Sequence, residues 1–269
     1  MGLGAKVSFI VPARNRVQEL KAALSSCLAQ TMDDWEAIVV DDHSDQENVE
    51  KVVKDLVDSR ICYVRQKLNQ TGEAAGRELA IHNAQTNILI TLDSDDLNYP
   101  HRAARCLELL DECTPKMIYT RVHHFSKKNP SGQTKKVLQP FNKTLLEMMN
   151  FITNPGTAFN RSAYTIAGAH YDKSLTLATD YDQFLRMARS GVNISEQDEV
   201  HVCYRKHQRA VTFGTTKQLH EAIMQIRIKH KIPPFPLERI YEYAVPELSN
   251  NIRNNPAQLS LWKDDRWKI

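Results

Sequence analysis

The stretch that decides the fold runs from Ile88 to Asp96 and reads Ile-Leu-Ile-Thr-Leu-Asp-Ser-Asp-Asp. Its first five residues have the composition of a short buried strand, and four polar residues follow at once. Two earlier stretches repeat this arrangement: Val7–Val11 ends at Pro12, and Ala37–Val40 ends at the pair Asp41-Asp42. Short apolar strands that alternate with amphipathic segments predict an α/β fold, with a mostly parallel central sheet flanked by helices.

The periodicity of the remaining segments gives the other elements. In the first half it predicts a third strand at 61–65. It also predicts helices at 17–28, 49–57 and 72–84, and a fourth helix that begins near Pro100. In the second half it predicts strands at 117–125 and 134–138 and helices at 143–151, 180–190 and 217–230, followed by a polar tail. No linker interrupts this pattern. We therefore predict one domain over 1–215, made of two halves at about 1–115 and 116–215, and a helical extension with a tail over 216–269.

Composition limits the classes of protein to consider. Of 269 residues, 42% are hydrophobic and 25% are charged, which is typical of a soluble globular chain. The net charge of +3 comes from basic and acidic residues mixed throughout, so no nucleic-acid partner is expected. Five widely spaced cysteines form no Cys-x-x-Cys pair, and the sequence has neither a membrane-spanning run nor a secretory signal. These features predict a cytoplasmic protein with reduced thiols.

The candidate chemistry lies where the strands end. Ligands of open α/β sheets bind beyond the carboxyl ends of the strands, and the predicted strands end there in five aspartates, Asp41, Asp42, Asp93, Asp95 and Asp96. A single carboxylate in such a place is most often a helix cap or a turn residue. Five together repel one another unless a cation or cationic side chains lie among them. Asp93 and Asp95 share one side of an extended segment, and such oxygen donors suit Mg²⁺ or Mn²⁺ holding a diphosphate.

Two other classes of protein stay open on these residues. A phosphotransferase of the haloacid-dehalogenase type also places an Asp-x-Asp pair after an apolar strand and would use Asp93 as its nucleophile. That class requires Thr or Val where Leu97 stands and normally carries the pair on its first strand. A binding module without turnover would hold a nucleotide sugar and release no nucleoside diphosphate.

Over roughly residues 6 to 213, the sequence resembles the family 2 glycosyltransferases of the GT-A fold. The resemblance follows the family's order and spacing and rests on Val7–Asn15, Leu28–Thr31, Trp35–Ser44, Asn69 with Gly72 and Arg77, Leu92–Asp96, Asn154–Arg161, Gly168 with Tyr171-Asp172, Asp180–Arg186 with Gly191, and Tyr204–His207. It implies transfer of a sugar, with inversion, from a nucleotide-diphosphate donor to the hydroxyl of a carbohydrate or glycoconjugate acceptor, as in polysaccharide biosynthesis. UDP is the commonest nucleotide of the family, so a UDP-sugar is the expected donor.

The resemblance also implies roles for individual residues. It assigns nucleotide binding to Pro12, Ala13, Asn15, Asp42, Arg77, Asp93 and Ser94. The divalent cation, Mn²⁺ or Mg²⁺, would be held by Asp95 with Asp93 and His207, and Asp96 is a further candidate ligand. Asp180 corresponds to the general base, although Thr179 stands where the family usually has Glu. Because Thr179 carries no charge to raise the pKa of Asp180, we expect Asp180 to be ionised near neutral pH. Asp182 is a second candidate for this role, or a helix first-turn acid.

The last fifty or so residues lie outside the resemblance. Trp262 and Trp267 stand among basic residues, an arrangement that suits contact with an acceptor or with the cytosolic face of a membrane. Packing of this tail on its own domain, or on a second subunit in a homodimer, is the alternative. The resemblance implies a nucleotide-binding half at about 1–115 and an acceptor and catalytic half at about 116–215. We expect the segment from about Lys217 to contribute to acceptor or membrane-surface contact and not to the donor site.

Overall fold

Nine strands form one mixed sheet in the computed structural model, which describes residues 4–68, 72–110, 114–134, 138–207, 216–233 and 237–254. The first half contains β1 (Val7–Ala13), α1 (Val17–Leu28), β2 (Trp35–Asp41), α2 (Val49–Leu56), β3 (Ile61–Arg65), α3 (Glu73–Asn83), β4 (Ile88–Thr91), β5 (Leu97–Asn98) and α4 (Arg102–Leu109). The second half contains β6 (Lys116–Phe125), β7 (Gln133–Thr134), α5 (Lys143–Met148), a 3₁₀ turn (Asn154–Gly156), β8 (Thr157–Asn160), α6 (Arg161–Ile166), α7 (Thr179–Arg189), β9 (Asn193–Arg205), α8 (Thr216–Lys229), α9 (Leu237–Tyr243) and α10 (Pro246–Arg253).

The strand order is β3-β2-β1-β4-β8-β6-β9-β5, with β7 paired to β6. The first four strands are parallel, which confirms the predicted α/β pattern, and their carboxyl ends therefore share one edge of the sheet. Beyond β4 the sheet becomes mixed, because β8 runs antiparallel to both β4 and β6, and β5 runs antiparallel to β9. β9 in turn is parallel to β6.

The first strand ends at Ala13, two residues past Val11, where the sequence predicted its end. Ile10 is the last residue of β1 whose carbonyl bonds to the β4 side, where it accepts from the Leu92 N–H at 3.0 Å. Residues two apart in a strand bond to the same neighbouring strand, so Pro12, like Ile10, faces β4. Because β4 has already ended at this point, the missing N–H of Pro12 breaks no pairing. On the other side pairing with β2 continues to Ala13, whose carbonyl accepts from the Asp42 N–H at 2.8 Å.

Two apolar cores cover the two faces of the sheet. Alternate residues of β1 point to opposite faces, so Phe9 and Val11 pack with helices α1, α2 and α4. Ile10, between them, packs with α3, α6, α7 and α8 on the other face. The helices of the first half therefore lie on both sides, and the strand ends between them stay open to a ligand.

The second half contains elements that the sequence did not predict. The four-residue β8, the thirteen-residue β9 and α6 were not predicted, and α9 and α10 replace the first part of the predicted polar tail. In the first half, the two-residue β5 was not predicted. Tyr241, Tyr243 and Leu248 of this extension pack on Leu145 and Met148 of α5. The described part of the extension therefore packs on its own domain, while Trp262 and Trp267 lie outside the described residues. No helix that the structure describes is both long and apolar enough to cross a membrane.

Candidate functional site

A cavity of about 1370 Å³ opens at the carboxyl ends of β1, β2 and β4. Nine of the ten predicted site residues line it, namely Pro12, Ala13, Asn15, Asp42, Arg77, Asp93, Ser94, Asp95 and Asp180. The tenth, His207, contacts the lining residue Asp95. The parallel order of the strands produces this convergence, because it brings residues more than eighty positions apart to one edge.

Asn15 joins the loop after β1 to the loop after β2. Its backbone N–H donates to Ser44 Oγ at 2.7 Å, and its side-chain oxygen accepts from the N–H groups of Asp45 and Gln46 at 3.2 and 3.1 Å. Asn15 and Arg16 both adopt the left-handed backbone region, with φ of 54° and 60°. The amide of Asn15 is thus used to hold the two loops together.

Asp42 connects the loop after β2 to the start of α3. Its Oδ1 accepts from the Gly72 N–H at 3.0 Å, just before α3, and its Oδ2 lies 3.8 Å from Arg14 Nη1. The neighbouring Asp41 is turned to the other side, where Tyr63 donates to it at 2.9 Å. Of the two aspartates that end β2, Asp42 alone is a lining residue of the cavity.

Arg77 lies between two acidic residues at the cavity wall. It is 3% exposed, its Nη2 is 2.7 Å from Asp93 Oδ1, and it also pairs with Glu73 one helical turn away. Although burial disfavours its charge, Glu73 and Asp93 raise the pKa of Arg77, so the guanidinium stays charged. It neutralises part of the carboxylate cluster from within the protein.

Asp95 is shared by two partners from distant parts of the chain. Its Oδ2 lies 2.6 Å from Arg16 Nη1 and 2.8 Å from His207 Nε2. A carboxylate oxygen and an imidazole nitrogen thus converge at this point. Oxygen donors suit Mg²⁺ and Mn²⁺, and the imidazole adds a nitrogen donor, so these residues fit a divalent cation. Arg16 carries the positive charge at the same oxygen in the structure.

Asp96 differs from Asp93 and Asp95 because its side chain is fully buried. Its Oδ1 accepts from the Arg205 N–H at 2.7 Å, and its buried Oδ2 has no hydrogen-bond partner among the described residues. Burial together with Asp93 and Asp95 raises the pKa of Asp96 well above its ordinary value. Its side chain ties the segment after β4 to the end of β9, and it is not among the residues that line the cavity.

Asp180 and Asp182 occupy opposite environments at the start of α7. Asp180 is half-buried and lines the cavity. Burial raises the pKa of Asp180, Arg77 lowers it, and Asp93 raises it further. Thr179 does remove one neighbouring charge, but the fold supplies another through Asp93.

Asp182 is fully buried and is held by an arginine, a lysine and a histidine. Its Oδ2 accepts from Arg186 Nε at 3.0 Å, and its Oδ1 lies 2.7 Å from Lys229 Nζ and 2.8 Å from His230 Nε2. These partners leave it no access to the cavity. Asp182 therefore fastens the end of α8 to α7.

The structure adds lining residues that the sequence analysis did not select. Arg16 belongs to the polar segment after β1 and could have been selected by that position. The other side of the cavity is formed by apolar side chains from α5, the segment after it and α8, namely Met148, Met149, Ile152, Leu219 and Ile223. We call these five residues the apolar wall. Their spacing in the sequence was typical of packing and gave no sign of a cavity.

Three comparisons relate this arrangement to known proteins. The family described as Glycosyl transferase family 2 matches residues 8–174. Among curated proteins, "Putative colanic acid biosynthesis glycosyl transferase WcaA" of Escherichia coli strain K12 is 30% identical over 186 residues, which cover 67% of this chain and 65% of the relative. The Escherichia coli enzyme named UDP-Glc:alpha-D-GlcNAc-diphosphoundecaprenol beta-1,3-glucosyltransferase WfgD is 36% identical over 91 residues, 34% of this chain and 35% of that protein. The chain thus spans less than two thirds of the length of these relatives.

Solved structures share the fold at low sequence identity. S. aureus TarS 1-349 in complex with UDP-GlcNAc superposes with a TM-score of 0.68 at 15% identity, covering 96% of this chain and 78% of that one. The mannosyltransferase PcManGT from Pyrobaculum calidifontis, in complex with GDP-Man and Mn²⁺, superposes with a TM-score of 0.64 at 15% identity, covering 98% and 72%. These matches confirm the GT-A fold that the sequence predicted.

Proposed function

Because the chain belongs to glycosyl transferase family 2, we propose that it transfers a sugar, with inversion, from a nucleotide-diphosphate donor to an acceptor hydroxyl. A UDP-sugar is the favoured donor, since WfgD is named for a UDP-sugar and TarS binds UDP-GlcNAc. The relatives' names favour a carbohydrate or glycoconjugate acceptor in polysaccharide biosynthesis. Family membership leaves no ground for the dehalogenase-type alternative.

One observation carries this proposal. Asp180, the Arg77–Asp93 pair and Asp95 all line one cavity, although they come from three separate parts of the chain. A sugar-transfer site needs a base, a charged diphosphate-binding region and a nucleotide-binding surface next to one another. We assign the nucleotide-binding surface to Pro12, Ala13, Asn15, Asp42, Arg77, Asp93 and Ser94.

Asp95, with His207 and Asp93, would hold the divalent cation, Mn²⁺ or Mg²⁺. When bound, such an ion neutralises the charge of the donor diphosphate. Arg16 must release or share the Asp95 oxygen for this to happen, because it lies 2.6 Å from that atom. The Mn²⁺ in the PcManGT complex supports the choice of ion.

Asp180 would act as the general base. The reaction is a direct displacement in which the acceptor oxygen attacks the anomeric carbon, the bond to the diphosphate breaks, and the hydroxyl proton passes to the Asp180 carboxylate. A raised pKa makes a carboxylate a stronger base, and Arg77 opposes too large a rise. The start of α7, which is anchored by Asp182, holds the carboxylate in place.

The apolar wall lies in the same cavity and would face the acceptor. α8 contributes to it, so the segment 216–269, which we proposed as an extension to the 1–215 domain, would share in acceptor binding and not in donor binding. Membrane contact and a homodimer stay predictions for the tail.

The experiment is a donor-hydrolysis assay without acceptor. The purified protein is incubated with a panel of UDP-, GDP- and dTDP-sugars, with Mn²⁺ or with EDTA, and released nucleoside diphosphate is measured by chromatography. We expect release from one UDP-sugar, loss of release in EDTA, and loss in Asp95→Asn.

A binding module would give a different result. It would show metal-dependent binding of the donor in calorimetry but no release beyond the rate without protein. If the protein shows no binding and no release with any donor of the panel, the proposed function is refuted.

A further inference from the structure

Two histidines and a glutamate converge outside the cavity, at the edge of the sheet. The ligand atoms that His101, Glu199 and His201 offer all lie within 4.8 Å of one another, and His201 Nε2 is 3.0 Å from Glu199 Oε2. The two imidazole rings meet edge to face, with centroids 5.4 Å apart. No other group of three such side chains is this close in the part of the chain that the structure describes. None of the three residues lines the cavity.

The backbone fixes this cluster in place. β5 pairs antiparallel with β9, and immediately beyond that pairing the Tyr99 N–H donates to the His201 carbonyl at 3.0 Å. His101 follows two residues later, as the residue that precedes α4. The three side chains therefore come from two adjacent segments whose register is already set, so only small side-chain movements would bring their ligand atoms to one ion.

His201 is fully buried and only one of its two ring nitrogens has a partner among the described residues. Its side chain is 0% exposed, its Nε2 lies 3.0 Å from Glu199 Oε2, and its Nδ1 has no hydrogen-bond partner in the part of the chain that the structure describes. A neutral imidazole has one nitrogen with a free lone pair, and leaving such a group buried and unpaired is costly.

The carboxylate of the cluster keeps acceptor capacity for a cation. Arg105 contacts both oxygens of Glu199, at 3.1 and 2.7 Å, and also pairs with Glu108. With the buried Arg102, two guanidiniums and two carboxylates surround the cluster, so these four side chains carry no net charge. Each carboxylate oxygen has two acceptor sites, so Glu199 can keep Arg105 and still accept a metal ion. The buried Arg102 opposes a cation here, but its guanidinium donates to Asn98 and to the carbonyls of Pro155 and Thr157.

We propose that His101, Glu199 and His201 bind a zinc ion at a site separate from the donor cavity. Two imidazoles and one carboxylate form a donor set that is typical of Zn²⁺, with a fourth position left for water. Mg²⁺ prefers oxygen ligands throughout and is not expected here.

The position of this site gives the ion a structural role. The same β5–β9 ribbon carries the donor-site residues at its other end, where Arg205 Nε donates to the Asp95 carbonyl at 2.7 Å. His201 and Arg205 are four residues apart on β9, which corresponds to about 13 Å along a strand. Zinc at one end would therefore hold the register of the two segments that present Asp95 and His207 at the other.

The test is zinc binding to the 269-residue protein after removal of metals with a chelator. Calorimetry should give one zinc site that remains in Asp95→Asn, and Co²⁺ in its place should give the visible absorption of tetrahedral cobalt. His101→Ala and Glu199→Gln should each weaken zinc binding by more than about 100-fold, since even an outer partner of a metal ligand is worth 10- to 100-fold. His82→Ala, an exposed histidine on α3, is the matched control and should bind zinc like the wild type.

Two further measurements separate this site from the donor site and from misfolding. Asp95→Asn removes a donor-site ligand and should leave zinc binding unchanged. In chelator, His101→Ala should melt at the wild-type temperature, and zinc should raise the melting temperature of the wild type only. Zinc binding that survives in His101→Ala and Glu199→Gln, that disappears in Asp95→Asn, or that is absent from the wild type would overturn the proposal.

Discussion

The two carboxylates at the start of α7 give the sharpest prediction, because the same substitution should have opposite effects at positions two residues apart. Asp182→Asn should destabilise the protein by about 3 kcal/mol, since removing one partner of a buried ion pair typically costs 3–5 kcal/mol. We take the lower value because Asn can still accept one hydrogen bond. Lys229 is 36% exposed and also pairs with Asp172, so most of the loss comes from Arg186 and His230. For a chain of this size, 3 kcal/mol lowers Tm by roughly 6–12 °C.

Asp180→Asn should leave stability unchanged or raise it slightly. Burial and Asp93 raise the pKa of Asp180, so folding disfavours its ionised form and the neutral amide removes that cost. The transfer rate should fall by about 10²-fold or more, because the amide cannot accept the acceptor proton. Asp182→Asn, in contrast, retains Asp180 as the base and should therefore keep its transfer rate.

Urea unfolding followed by circular dichroism at pH 7 measures the first effect, and turnover of the donor measures the second. The pH dependence adds a check of sign. Although burial acts against it, hydrogen bonds from His230 and Lys229 and the charge of Arg186 hold the pKa of Asp182 well below its ordinary value. Its stabilising contribution is therefore complete above about pH 4 and is lost as pH falls through the lowered pKa. The stability difference between Asp182→Asn and the wild type should shrink below about pH 4. Equal unfolding midpoints at pH 7 for both variants would refute this reasoning.

Three further predictions concern the cavity. Arg16→Ala should increase the affinity for Mn²⁺ severalfold in calorimetry, because it frees the Asp95 oxygen, whereas the matched variant Arg14→Ala should not; equal affinities would exclude competition at that atom. The transfer rate should fall on acidification at a pH above that of an ordinary exposed aspartate, because the pKa of Asp180 is raised, and a profile that Asp180→Asn leaves unaltered would contradict its role as base. Ile223→Ala should raise the KM for the acceptor while donor hydrolysis without acceptor stays unchanged; a matching loss of hydrolysis would move the apolar wall to the donor side.

The parts of the fold that the sequence predicted are those whose pattern is local. The strands β1, β2 and β4 are short apolar runs followed by polar residues, and that pattern alone places their ends at one edge of a parallel sheet. β8 has only four residues, Thr-Ala-Phe-Asn, and β5 only two, so neither is long enough to show a period. Their conformation is set by the longer strands β4, β6 and β9 beside them.

The candidate site likewise contains some residues that the sequence could predict and others that it could not. Residues at strand ends, such as Asp42 and Asp95, were predictable from position. The partners of Asp182 were not, because Lys229 and His230 are nearly fifty residues away and their meeting depends on how α8 packs. The raised pKa of Asp180 was unpredictable for the same reason, since it depends first on burial by the fold and then on the charge of Asp93, which is distant in the sequence.

The apolar wall has a consequence for the exchange of specificity between enzymes. Its α8 residues, Leu219 and Ile223, lie beyond residue 174, where the family match ends, whereas the donor residues at the strand ends lie within that match. Replacing this one helix should therefore change which acceptors are used while the donor preference is inherited intact. A grafted helix would have to keep Lys229 and His230 at its end, because those two residues fasten it to Asp182. α8 is therefore a segment that can be exchanged when chimeric transferases are built.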